Sequence, residues 1–291
     1  MADKISATRE TFSRDRFNKP CLRKNAGSAR MIAIEHLFLW FLLYSCVGWI
    51  YESILVSILE KHWVNRGFLN GPVCPIYGAG AVLGILLLSG LKGHPILIFL
   101  ISALGASVLE YVTSWVMEKL FHARWWDYSD YRFNIQGRVS LLGAVVFGAA
   151  GVGLIEFAQP WVDEWTMLIP LNALHVVCLT CLVLIVTDTI VTVKGMVNFS
   201  DSLRNFSERV QAAAERAGES WQWGKDVLLQ KICEWSASSQ EILTSMRSGA
   251  METLNRQQRR MIQAFPDLRS TESVKDSKIM ETVRELLRRS K

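Results

Sequence analysis

Five apolar runs, residues 37–59, 75–91, 95–117, 139–158 and 169–193, carry few charged side chains. No other feature constrains the fold as strongly. A run of about twenty apolar residues, coiled as a helix, matches a hydrocarbon layer of about 30 Å. Runs one, three and five meet that length with room for tilt. The second is short and Gly-rich, which suits a marginal span or a re-entrant element held by its neighbours. Composition agrees: 20% of the 291 residues are charged, against about 25% in ordinary soluble domains. Most Lys and Arg lie outside the runs. The expected fold is all-α, a polytopic helical membrane protein with about five transmembrane helices in residues 31–196. A soluble single-domain enzyme is excluded.

The flanking segments differ. Residues 1–30 hold eight Lys/Arg and too few large apolar side chains to build a core, so they read as a disordered leader. No small-residue cleavage site follows the first run, so no secretory signal is read there, and Met31 offers a second translation start. In residues 197–291, expected to be a cytosolic helical tail, apolar positions recur at Leu203, Phe206, Val210, Ala213, Ala217, Trp221, Leu228, Ile232, Trp235 and Leu243. That spacing, near 3.5 residues, predicts an amphipathic, coiled-coil-like helix or helix pair able to associate. Pro266 ends it, and Ser270 to Lys291 offers a second short helix. The six cysteines are scattered and spell no disulfide framework.

Orientation follows from the short loops. Lys61, Arg66, Lys119, Arg124, Arg132 and Arg138 would share one face, and Lys92 alone the other. The positive-inside rule then places the N-terminus outside and the C-terminus in the cytoplasm, in a multi-pass protein of the inner cell membrane.

Glu52, Glu110 and Asp188 lie within runs one, three and five, each about two-thirds or more of the way along. Odd-numbered spans run in the same direction, so all three acids approach the face where the arginine-bearing loops open. An ionisable group in hydrocarbon costs roughly 2.5–3.5 kcal/mol and is kept by a partner or a function. Two readings stand: a structural collar in which the acids pair with Arg66, Arg124, Arg132 and Arg138, or a site for a cation, a proton or a substrate ammonium.

The first loop, Asn65 to Gly78, is dense in Gly, Asn and Pro, which fix a tight path, and Pro75 is placed to start the next helix. Arg66, Asn70, Cys74 and Tyr77 would face a cavity if it folds back. With no base beside it in the sequence, Cys74 is a poor nucleophile. The second loop, Phe121 to Tyr131, holds Arg124, Trp125, Trp126, Asp127 and Tyr128, the composition of an interfacial belt or of a functional surface. His122 with Asp127 and Asp130 is too loose a spacing for a metal site. In run four the small residues Ala144, Gly148, Ala149 and Gly153 predict close helix packing. In run five, His175 reads as a hydrogen-bonded core residue, and Cys178 and Cys181 as small packing residues. No phosphate-binding G-x-x-x-x-G-K-[ST], no G-x-S-x-G and no H-E-x-x-H occurs, so the chain is expected not to be an enzyme and to need no cofactor.

The segments Tyr44-Ser45, Gly48-Trp49-Ile50-Tyr51-Glu52, Arg66 to Gly78, Glu110-Tyr111 and Ala123 to Ser129 together resemble the ABC-transporter type IV family, CmpB-like membrane proteins of bacteria. The resemblance covers about residues 37–190. It implies a permease partnered by a separate ATPase and supplies no catalytic residues. An importer-type coupling motif, E-A-A followed by Gly, is not found between the runs; Ala212-Ala213-Ala214 with Gly218 lacks its Glu and falls in the tail. The expected partners are the bilayer, an ATPase subunit and an oligomer formed through the tail, with no nucleic acid. The alternatives are a scaffold or regulator acting through the tail, and a membrane-embedded enzyme on lipid-linked substrates.

Overall fold

The computed structural model describes the backbone at residues 3–216, 248–249, 251–270 and 284, with side chains at 30–206, 208–209, 248–249, 251–269 and 284. The remainder of the predicted tail seam, from Ala217 to Leu243, and most of the segment after Ser270 lie outside the described residues.

Helix α1, Asp3–Glu60, contains an apolar stretch of membrane-crossing length, Arg30–Glu60. It stops where Lys61 turns into the left-handed region at φ 55°. Helix α2, Pro75–Leu88, starts as expected on Pro75, whose fixed φ suits a first turn. A 3-10 turn over Ser89–Leu91 completes the short apolar run. Helix α3, Pro95–Phe121, repeats the proline start and ends on left-handed His122.

Helix α4, Leu141–Gly153, is capped by Ser140, whose hydroxyl accepts from the Gly143 amide at 3.1 Å. It passes through a π-turn, Leu154–Ala158, into α5, Gln159–Met167. Pro160 brings no N–H to the helical ladder, and the π-turn absorbs the break without ending the helix. The fourth run is therefore longer than its apolar composition indicates, 27 residues from Leu141 to Met167. Helix α6, Leu171–Met196, leads into α7, Phe199–Arg216. Four helical segments are long and apolar enough to cross a membrane, and α2 with its 3-10 turn is a shorter apolar helix. Helix α8, Arg256–Ala264, opens with a capping box between Asn255 and Gln258 and ends at Phe265, next to Pro266.

The apolar helices pack by close approach. A side chain at Gly48 would run into the Tyr77 ring, and one at Gly78 into the Phe41 carbonyl, so α1 and α2 touch backbone to backbone. Helices α3 and α4 do the same where Gly148 faces Phe99 and Gly151 faces Ser102, while Gly153 faces nothing within 4 Å. Of the small residues expected to pack in run four, Gly148 does so, with Gly151 beside it, whereas Ala149 is exposed and Gly153 faces open space.

The strands are short. β1, Ala123–Arg124, pairs antiparallel with β4, Arg269–Ser270; β2, Asn134–Ile135, pairs with β3, Val139–Ser140. Gln136 and Gly137 both take positive φ, 53° and 68°, in the three-residue loop between Ile135 and Val139, where the Arg138 amide donates to the Ile135 carbonyl at 3.0 Å.

The largest apolar core lies at one end of the helices. It joins Val56, Val64, Phe121, Trp125, Met196, Phe199, Leu203, Phe206, Leu254, Met261, Ile262, Phe265 and Leu268. Helices α7 and α8 thus fold back over both polar loops to form a cap. Leu203 and Phe206, expected to face an associating helix, meet Leu254, Met261 and Ile262 within this core.

Candidate functional site

Beneath the cap, the first loop is pinned from both sides. Asp188 of α6 accepts from the Asn70 amide at 3.1 Å, its Nδ2 at 2.8 Å and the Gly71 amide at 2.8 Å. Asp188 therefore caps loop backbone, and no ion pair joins it to an arginine among the described residues. From the cap, Arg260 donates to the carbonyls of Gly67 at 2.9 Å and Phe68 at 2.7 Å. Cys74, the residue before α2, is buried and donates its amide to the Ser45 carbonyl at 3.0 Å. Burial, followed by the charge of Glu52, pushes its thiol up to about 12, which leaves no thiolate near neutral pH.

Glu52 accepts the Tyr77 phenol and lies 3.6 Å from the Arg66 guanidinium. Arg66 also donates to the Ala264 carbonyl at 2.8 Å and stands over the Phe265 ring at 4.3 Å. Glu110, only 7% exposed, accepts the Tyr128 phenol at 3.0 Å through one oxygen, while its Oε2 has no hydrogen-bond partner. Both acids lie beside α4, Glu110 against Gly143 and Glu52 through its partner Tyr77, which lies against Phe147. Glu52, Tyr77, Glu110 and Tyr128 thus form two linked carboxylate–phenol pairs where α1, α2, α3 and the second loop meet, with Arg66 at the cap side.

The second loop is held by a different acid. Glu118 pairs with Arg138 at 2.8 Å and Arg124 at 3.6 Å. Asp127 takes Arg124 at 3.7 Å and, from β4, Arg269 at 2.9 Å. Trp126 donates to the Arg138 carbonyl at 3.0 Å. Its neighbour Trp125 is enclosed in the cap core, edge-on to Phe68 at 5.2 Å and Phe265 at 4.9 Å, so it is no headgroup anchor.

The three intramembrane acids approach one end, as read from their positions, but only Glu52 reaches a loop arginine. Arg124 and Arg138 go to Glu118, an acid the sequence reading passed over. It lies two turns from Glu110 on the α3 stripe of Glu110, Ser114 and Glu118, and that spacing was the signal for it. Other pairs tie the opposite end together: Tyr44 donates to Gln159 at 2.8 Å, Trp40 to Thr166 at 3.1 Å, and Glu35 meets His175 at 2.7 Å. His175 is hydrogen-bonded, as expected, but it is not a core residue, since its side chain is 40% exposed.

Membrane-length helices with buried acids gathered under a folded cap define an α-helical membrane protein. The chain belongs to the family described as "Putative ABC-transporter type IV", whose family model matches residues 39–193, more than half of the chain. The match ends within α6 and leaves out α7 and α8. No curated protein and no solved structure matches the chain.

Proposed function

We propose that the chain is the membrane-spanning permease of an ABC-type transporter and that a separate subunit binds and hydrolyses ATP. The observation that carries this reading is the carboxylate–phenol cluster of Glu52, Tyr77, Glu110 and Tyr128 within the matched region, in which Glu110 is buried and the other three are half-buried. Such groups are expensive in an apolar bundle and mark substrate or ion pathways. We place the cap in the cytoplasm of a multi-pass inner-membrane protein, because six basic residues of the short loops lie on its side and one on the other. The cap ties both loops to α6, so a partner bound there can move the helices that carry the acids. A scaffold working through a free tail fits less well, since α7 and α8 are docked on the loops.

Affinity purification of the full chain from native membranes tests the proposal. An ATPase subunit should co-purify, and ATP-dependent uptake should be lost in Glu52→Gln and Glu110→Gln variants that still bind that subunit. Purification without any ATPase, or undiminished uptake in both variants, overturns it.

A further inference from the structure

We propose that the Glu52–Glu110 cluster binds one small monovalent cation, an alkali-metal ion or a small ammonium. The inference deepens the permease reading by giving the transported or coupling species a charge, and it rests on that reading for any role beyond binding.

Charge and an unpartnered acceptor oxygen both point to a cation. Two carboxylates, each accepting one phenol, lie beside the same stretch of α4, with Tyr77 against Phe147 and Glu110 against Gly143. Among the described residues a single guanidinium, that of Arg66, reaches either of them. Its contact with Glu52 is long, 3.6 Å, and it also serves the Ala264 carbonyl and the Phe265 ring. Glu110 has no ion pair among the described residues. Its residue surface is 93% enclosed, and its Oε2 is without a hydrogen-bond partner. A buried carboxylate left so is costly, and removing such a cost is what a ligand at this point can do.

The surroundings supply oxygens. The phenols of Tyr77 and Tyr128 spend their protons on the carboxylates, which leaves oxygen lone pairs for a cation. Oε2 lies against Gly143, where an added Cβ would stand 3.9 Å from it and 3.2 Å from the Ser140 hydroxyl. Gly143 lies in the first turn of α4, whose helix dipole offsets part of the negative charge without cancelling it. With Glu110 ionised, one negative charge is left over, which calls for one positive charge. A divalent ion is poorly matched, since the described residues contain no group of three His, Cys, Asp or Glu side chains able to hold a metal. The rings of Tyr51 at 6.4 Å and Phe147 at 6.1 Å from that of Tyr77 add aromatic surface suited to an ammonium.

The test uses the full chain purified in detergent, with N-methylglucamine chloride as the bulky reference salt. Sodium, potassium and methylammonium chlorides are titrated separately at constant ionic strength while the melting temperature is followed. A cation that binds only the folded site raises it, by about 3 °C near saturation, with a hyperbolic dependence on concentration. The response should vanish in Glu110→Gln and persist in the control Asp130→Asn, whose side chain is exposed. Should Glu110→Gln fail to fold, Tyr128→Phe keeps both carboxylates and should raise the midpoint concentration at least about threefold, the loss of one modest contact. The arms separate an alkali ion from an ammonium. No cation-dependent shift, a shift that survives in both variants, or a response to pH alone overturns the proposal. A shift without any co-purifying ATPase would keep the cation site and defeat the permease reading; an ATPase without a shift would do the reverse.

Discussion

In the cap, Trp125, Phe199, Phe206, Leu254, Met261 and Ile262 are almost wholly enclosed; along the apolar helices, Leu87, Leu104, Leu168 and Leu179 stand open to their surroundings. The cap is built as a soluble domain is built, by removing large apolar side chains from water. The helices below it gain nothing comparable from contact with one another, since lipid is as apolar as leucine. They pack instead through glycines that let backbones touch, and through buried polar pairs such as Tyr44–Gln159 and Trp40–Thr166. One chain therefore holds two cores with different rules, and the carboxylate cluster lies where they meet.

Breaking the cap should produce the largest effect. Trp125 is the hub on which Phe68, Phe121 and Phe265 converge. Truncating it to alanine should cost about 3–5 kcal/mol, as for other large-to-small changes in a water-facing core. Limited proteolysis of Trp125→Ala should release the segment after Arg216 while the apolar helices stay intact. Simultaneous loss of both regions would show that they form one cooperative unit.

The membrane region should fail in the opposite sense, by overfilling. A methyl group at Gly48 meets the Tyr77 ring, so Gly48→Ala should cost about 1–3 kcal/mol and displace the phenol from Glu52. Gly153 faces open space, and Gly153→Ala should be neutral or stabilise by up to about 1 kcal/mol, the helix preference of alanine. Melting curves of the two variants in detergent make the comparison. Equal behaviour would mean that close approach does not hold α1 against α2.

The same division decides what could be read from the sequence. The apolar helices, the proline start of α2 and the gathering of Glu52, Glu110 and Asp188 at one end all follow from local hydropathy and helix direction. The cap does not, because its bonds join residues far apart along the chain: Arg66 with Ala264, Arg260 with Gly67, β1 with β4. No local pattern announces such pairings. The apolar run 139–158 stops short of its helix because Pro160, Asp163 and Glu164 interrupt the hydropathy, whereas a π-turn carries the helix through the proline. Pairing of the acids with loop arginines was expected on grounds of charge alone. Backbone amides satisfied Asp188 first, and Glu118, nearer in the chain, took Arg124 and Arg138.

The smallest effect, and the one that probes the closing of the cap, belongs to Asp127. Burial alone would raise its carboxyl, but the Ser129 hydroxyl at 2.5 Å, the Ser129 amide at 3.0 Å, Arg269 and Arg124 together hold it below the ordinary carboxylate range. A depressed acid contributes stability that is fully present above its unfolded value of about 3.9 and is lost as the pH falls through its folded value. The contribution is small, because the Arg269 side chain is 54% exposed and a pair so open to solvent yields roughly 0.2–1 kcal/mol. Hydrogen exchange at the amides of β1 and β4 should therefore stay flat from neutral pH to about 5, once corrected for intrinsic rates, and speed up below about 4. Asp127→Asn should remove that acid-dependent step and leave the apolar helices unchanged. Persistence of the full step in Asp127→Asn would assign the acid sensitivity of the cap to another carboxylate.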